Sequence, residues 1–99
     1  MKNFKTNNTF TIIEKKLREM TSPRVLELGV NRGKSSQKFL NALCSNGGNL
    51  FSIDIKNCSN VLLSEKFNFY ECNDLDVDKI LNQFPSLRNG IDLLYIDSD

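Results

Sequence analysis

The spacing of apolar positions changes repeatedly along this chain, and the changes mark out alternating helices and strands. Ile12, Ile13, Leu17 and Met20 recur at helical spacing over Thr9–Met20, with Asn8 or Thr9 available as N-cap and Thr21-Ser22-Pro23 as a stop. Val25-Leu26-Glu27-Leu28 follows as a short strand that Gly29 ends. Beyond Gly33, Phe39, Leu40, Leu43 and Cys44 form the apolar face of a second helix, closed by Asn46-Gly47-Gly48. Leu50 to Ile55 reads as a second strand, and Val61-Leu62-Leu63 as part of a short helix after the Asn57-Cys58-Ser59-Asn60 turn. The alternation and aromatic content of Phe67 to Cys72 predict a third strand. Asp76 can cap a helix carrying Val77, Ile80, Leu81 and Phe84, which Pro85 ends. Ile91 to Ile96 is almost continuously apolar, as expected of a strand covered on both faces of a parallel sheet.

The resulting order, α-β-α-β-α-β-α-β, predicts an α/β fold with right-handed crossovers and a Rossmann-like parallel sheet. A ligand-binding turn at Gly29 places the first strand at the topological switch point, so the expected strand order is 3-2-1-4. Residues 1–22 form a leading amphipathic helix, and residues 23–99 form the Rossmann-like domain. Carboxylates stand near three of the four strand ends: Asp54, Asp74 and Asp97.

Composition narrows the partners. Ninety-nine residues make one small domain, and 13 basic against 12 acidic side chains leave a net charge of +1. Such a balance supplies no strong field for nucleic acid or for an anionic membrane surface. The chain has no apolar stretch near the roughly 20 residues of a spanning helix and no secretory leader pattern, so a cytoplasmic location is expected. Cys44, Cys58 and Cys72 are odd in number and far apart, and the chain has no histidine. They read as reduced, packed thiols, and a metal site built on Cys or His is excluded.

The chemistry concentrates where the first strand meets the second helix. Val25 to Ser36 reads as a buried strand, a glycine turn and a helix start, and Asp54 stands 21 residues after Gly33, at the spacing of a carboxylate that grips a nucleoside ribose. A dinucleotide site needs glycine at three turn positions so that a pyrophosphate can approach the helix end. Here Asn31 and Lys34 stand at the second and third of them. That counts against an NAD-dependent oxidoreductase fragment, which is kept as an alternative. Glu27 is flanked by Val25, Leu26 and Leu28, where an unpaired buried charge is costly, and this favours a functional role. Gly29 and Gly33 serve a tight turn, a ligand approach, or both. Asp74 either caps the following helix or faces a ligand.

Together these residues resemble the N-terminal half of the class I S-adenosylmethionine-dependent methyltransferases, from about Val25 to the end. Glu27-Leu28-Gly29-Val30-Asn31-Arg32-Gly33 resembles the first motif of that family, and Ile91 to Asp99 resembles its fourth. The form Gly-Val-Asn-Arg-Gly-Lys-Ser-Ser is similar to that of small-molecule and sugar O-methyltransferases. The resemblance implies S-adenosylmethionine as cofactor, with Glu27, Gly29, Gly33, Asp54 and Asp74 as its binding residues, Asp74 then facing adenine. It implies a small-molecule acceptor. In metal-dependent members the carboxylate matching Asp97, with Asp99 beside it, helps hold a divalent cation, but the other ligands would come from later sequence, so a divalent metal is without support here. The resemblance also implies a partial domain whose C-terminal strands are missing. The last strand then keeps an open edge through which the chain could self-associate, and a non-catalytic binding module is the second alternative.

Overall fold

In a computed structural model the described residues are 4–97, with side chains from Phe10 onward. Asp99 of the tail motif lies outside them. Helix α1 (Phe4–Glu19) leads into β1 (Arg24–Leu28), α2 (Lys34–Leu43), β2 (Asn49–Asp54), β3 (Phe67–Glu71), α3 (Val77–Gln83), a 3₁₀ turn (Pro85–Asn89) and β4 (Leu93–Ile96). All three strand pairings are parallel, and the sheet order is β3-β2-β1-β4. This is the Rossmann-like order expected of a switch point beside β1.

Strand alternation divides the core in two. Val25 of β1 and Leu50 of β2 face α1 and α2, packing with Leu17, Phe39, Leu40 and Leu43. Leu26, Phe51 and Ile53 face the other way, against Ile80, Phe84 and Leu87. Each such side chain contributes about 1.5–3 kcal/mol by leaving water. Phe10, Phe39 and Tyr95 pack as a triangle of rings with centroids 5.2–5.9 Å apart, which ties α1 and α2 to β4.

Several local expectations are corrected. Helix α1 starts at Phe4, so Asn8 and Thr9 lie inside it rather than capping it. Its core-facing stripe is Phe10-Ile13-Leu17, with Leu17 buried and the other two partly so, whereas Ile12 and Met20 are exposed. Packing of that stripe overrides the weak helix propensity of Asn and Thr. Cys44 is exposed at the C-cap of α2 and not on its apolar face, while Cys58 is buried. Val61-Leu62-Leu63 forms no helix, because three apolar residues after a polar turn cannot repay a helical nucleus. The Asn57 side chain instead bonds the backbone and hydroxyl of Ser59, and only Leu62 of the three packs on the core, Leu63 being 96% exposed. The order is therefore α-β-α-β-β-α-β, with a loop as the β2–β3 crossover.

Ile55 lies past the end of β2, exposed, and β4 begins at Leu93 rather than Ile91. On β4 only Leu93 and Tyr95 face packed helices. Leu94 and Ile96 are 52% and 59% exposed, so the strand is covered on one face by the described residues, not on both.

Candidate functional site

The carboxyl ends of β1, β2 and β4 converge on the segment from Gly29 to Gly33. Gly29 has φ +102°, and a Cβ there would lie 2.2 Å from the Asp97 carbonyl oxygen, so only glycine lets β1 leave the sheet this close to the end of β4. Its N–H donates to Ile53 O at 2.8 Å. Asn31 takes the left-handed region at φ +53°, a conformation that asparagine tolerates better than most residues. It replaces a motif glycine at modest conformational cost. Gly33, at φ +83°, lies under Val61, whose Cγ1 would be 2.5 Å from an added Cβ.

Asp54 organises this turn. Its Oδ2 accepts the N–H groups of Val30 at 2.9 Å and Asn31 at 3.2 Å, and its Oδ1 accepts that of Lys56 at 3.0 Å. Partial burial alone would raise its carboxyl, but the backbone donors of Lys56, Val30 and Asn31 outweigh it and hold the group below the ordinary aspartate value. Burial, reinforced by the Asp54 charge, pushes the neighbouring Cys58 thiol up. This cysteine is poorly suited to act as a thiolate nucleophile.

Glu27 lies beneath the turn, 0% exposed, between Ser52 of β2 and Tyr95 of β4 in register. Three hydroxyls donate to its carboxylate: Ser35 to Oε2 at 2.6 Å, Ser36 to Oε1 at 2.5 Å and Ser52 to Oε1 at 3.0 Å. Burial pushes the carboxyl above the ordinary glutamate range, the three hydroxyls pull it back, and the charge of Asp97 adds to the rise. Glu27 thus joins β1, β2 and the first turn of α2 through buried hydrogen bonds.

Two clefts open on either side of Asn31 and Asp97. The smaller, about 370 Å³, brings together Gly29, Asp54, Asp74 and Asp97, with Lys56 and Asn73. The larger, about 620 Å³, is lined by Arg32, Lys34, Lys38 and Lys56, with the rings of Phe10 and Tyr95. Asn31, Lys56 and Asp97 line both. Of the residues singled out from sequence, Gly29, Asp54 and Asp74 share the smaller cleft, whereas Glu27 and Gly33 line neither. Asp74 does not cap α3, because that place belongs to Asp76, whose side chain accepts the N–H of Lys79. Asn31 donates to Asp97 at 3.4 Å, and among the described residues no three Cys, His, Asp or Glu side chains are grouped to hold a metal ion. Sequence reasoning missed Ser35, Ser36 and Ser52 as partners of Glu27. The adjacent serines opening α2, eight and nine residues after a buried acid, were the available signal.

All but the first two residues of this strand-turn-helix, with its strand-end carboxylates, fall in the segment from residue 26 to 99 that matches the family model of a methyltransferase domain. The chain belongs to that family. The match begins within β1, runs past β4 and leaves α1 outside. No curated protein matches the chain significantly. In this methyltransferase domain the acidic strand ends and the glycine turn stand at the carboxyl edge of the parallel sheet. No described helix is long and apolar enough to cross a membrane.

Proposed function

We propose that this methyltransferase domain binds S-adenosylmethionine in the smaller cleft and transfers its methyl group to a hydroxyl of a small molecule held in the larger one. The carrying observation is the engagement of the Val30 and Asn31 N–H groups by Asp54. A dinucleotide would need such amides for its pyrophosphate, and here they are taken by a carboxylate whose charge repels phosphate. A donor with a cationic sulfonium and an ammonium suits the same surroundings, since Asp54, Asp74 and Asp97 line that cleft against one lysine.

The fit extends to the remaining parts of the cleft. The bare Gly29 backbone permits close approach, and Asp54, oriented by three N–H groups, presents a fixed acceptor to ribose hydroxyls. Asp74 stands on the β3 side, where the adenine belongs. When bound, the donor supplies an electrophilic methyl carbon whose bond to sulfur breaks as a bond to the acceptor oxygen forms. Asp97 lines both clefts and is the residue assigned to receive the proton that the hydroxyl loses. Alignment of the reacting atoms supplies the larger share of the rate, up to about 7–11 kcal/mol of barrier.

Calorimetry tests the reading. The demethylated donor product, S-adenosylhomocysteine, should bind the chain and NAD should not. Tighter binding of NAD would overturn the assignment.

A further inference from the structure

The larger cleft has a charge that the rest of the molecule does not share. The chain carries a net charge of +1, yet Arg32, Lys34, Lys38 and Lys56 all line this one cleft, with Asp97 as the sole carboxylate among its lining residues. The ion pairs among the described residues are Glu14–Arg18 and Asp76–Lys79, and neither involves these four. Lys38 is held by a ring instead, its Nζ 4.4 Å from the centroid of Phe10. Four like charges around one concavity repel each other, and no ion pair among the described residues offsets them.

Across Asn31 and Asp97 the balance reverses, because the smaller cleft has three aspartates and one lysine. The two clefts share a wall formed by Asn31, Lys56 and Asp97. Such a divided field sorts its ligands: a cation is favoured on the aspartate side and an anion on the lysine side. The volume of the basic cleft falls in the range of small-molecule sites, and Phe10 and Tyr95 add apolar ring surface to it.

We infer that the larger cleft takes an acceptor bearing an anionic group, a phosphate or a carboxylate, held by Lys34 and Lys38 with Arg32 and Lys56, so that its hydroxyl lies toward Asp97. The inference rests on the placement of the donor in the smaller cleft. The carboxylate of the donor itself is a second source of the same charge, and the test separates the two.

The test is a set of NMR titrations on the full chain. Inorganic phosphate should shift the backbone amides of residues 32–38 and Lys56, with the donor product already bound as well as without it. Glycerol 3-phosphate should bind at least tenfold tighter than glycerol. The double variant K34Q/K38Q, altered at two side chains that line only the basic cleft, should bind phosphate at least tenfold more weakly and S-adenosylhomocysteine within twofold of the wild type. Unchanged phosphate affinity in that variant would overturn the inference. So would displacement of phosphate by the donor product, which would assign the basic residues to the donor's own carboxylate. Phosphate shifts as expected, without any response of Gly29, Asp54 and Asp74 to the donor product, would overturn the donor reading while retaining the anion site.

Discussion

The Asp54 carboxylate accepts the backbone N–H of Val30 at 2.9 Å, so the acid that ends β2 fixes the turn that ends β1. The same Oδ2 accepts the N–H of Asn31 at 3.2 Å. A side chain read from spacing as a ribose ligand is therefore also a structural part of the glycine turn. An acceptor fixed by three amides loses little freedom when it meets a ligand hydroxyl, so the structural role favours the proposed one.

Replacing Asp54 with alanine should destabilise the fold by about 1–3 kcal/mol, since three backbone donors lose a charged acceptor. Binding of the donor product should fall with it. Denaturant unfolding followed at neutral pH measures the first effect. An unchanged midpoint would show that the turn holds itself without Asp54.

Glu27 and Asp54 give stability opposite pH dependences. The Asp54 carboxyl is lowered in the fold, so its contribution is present above its ordinary value of 3.8 and is lost as pH falls through the folded value. Glu27 is raised by burial, so its contribution is full below its ordinary value of 4.5 and is lost as pH rises through the folded one. Glu27→Gln should remove that upper loss. Its carbonyl oxygen can still accept from Ser36 and Ser52, and its amide can donate to a rotated Ser35 hydroxyl. As pH rises above 4.5 the variant should lose less stability than the wild type. Glu27→Ala, which leaves three buried hydroxyls without their acceptor, should cost about 3 kcal/mol or more. Equal pH slopes in wild type and Glu27→Gln would show that the buried carboxyl is not the titrating group.

The parts of the fold legible in sequence were those with a strong local pattern. Val25 to Leu28 and Leu50 to Asp54 are short apolar runs ended by glycine or a carboxylate, and they pair as expected at the centre of the sheet. The crossover at Val61 to Leu63 departs from its helical pattern because apolar content there serves two separate contacts, Val61 near Gly33 and Leu62 on the core, rather than one helix face. Ile91 to Ile96 looked buried on both sides because composition does not show what packs against each face. At the candidate site, spacing pointed to Gly29 and Asp54, which line the smaller cleft, and the position of Asp76 directly before Val77 marked the helix cap but left the role of Asp74 open. The role of Glu27 depended on three hydroxyls that only the fold brings together.

Gly29→Ala should be among the most damaging single substitutions in the turn. An alanine at φ +102° is strained by about 1–2 kcal/mol, and its Cβ would meet the Asp97 carbonyl oxygen at 2.2 Å. Backbone carbonyls cannot rotate aside as a flexible side chain can, so the end of β4 must move. The N–H of Asp97, which donates to Leu28 O at 2.9 Å, reports that movement directly. Hydrogen exchange at Asp97 should accelerate in the variant, and thermal unfolding should fall by about 3 kcal/mol in stability. Wild-type protection at Asp97 would show that the turn accommodates a side chain by shifting β1 instead.

Asp74 and Asp76 stand two residues apart and should separate cleanly into a ligand contact and a structural cap. Asp76 ends its work within α3: its Oδ1 accepts the Lys79 N–H at 3.4 Å and its Oδ2 lies 3.5 Å from the Lys79 ammonium. Asp76→Ala should cost about 0.5–2 kcal/mol of stability, as loss of an N-cap does, with donor-product affinity unchanged. Asp74 is exposed, lines the smaller cleft and caps nothing. Asp74→Ala should therefore leave the unfolding midpoint within about 0.5 kcal/mol of wild type, the range usual for surface substitutions. It should weaken S-adenosylhomocysteine by about 1–3 kcal/mol through a lost charged hydrogen bond, roughly 5-fold to more than 100-fold in affinity. Paired denaturation and calorimetry on the two variants read both quantities. If Asp74→Ala binds the donor product as tightly as wild type, the adenine lies elsewhere and the β3 side of the cleft has no part in holding it.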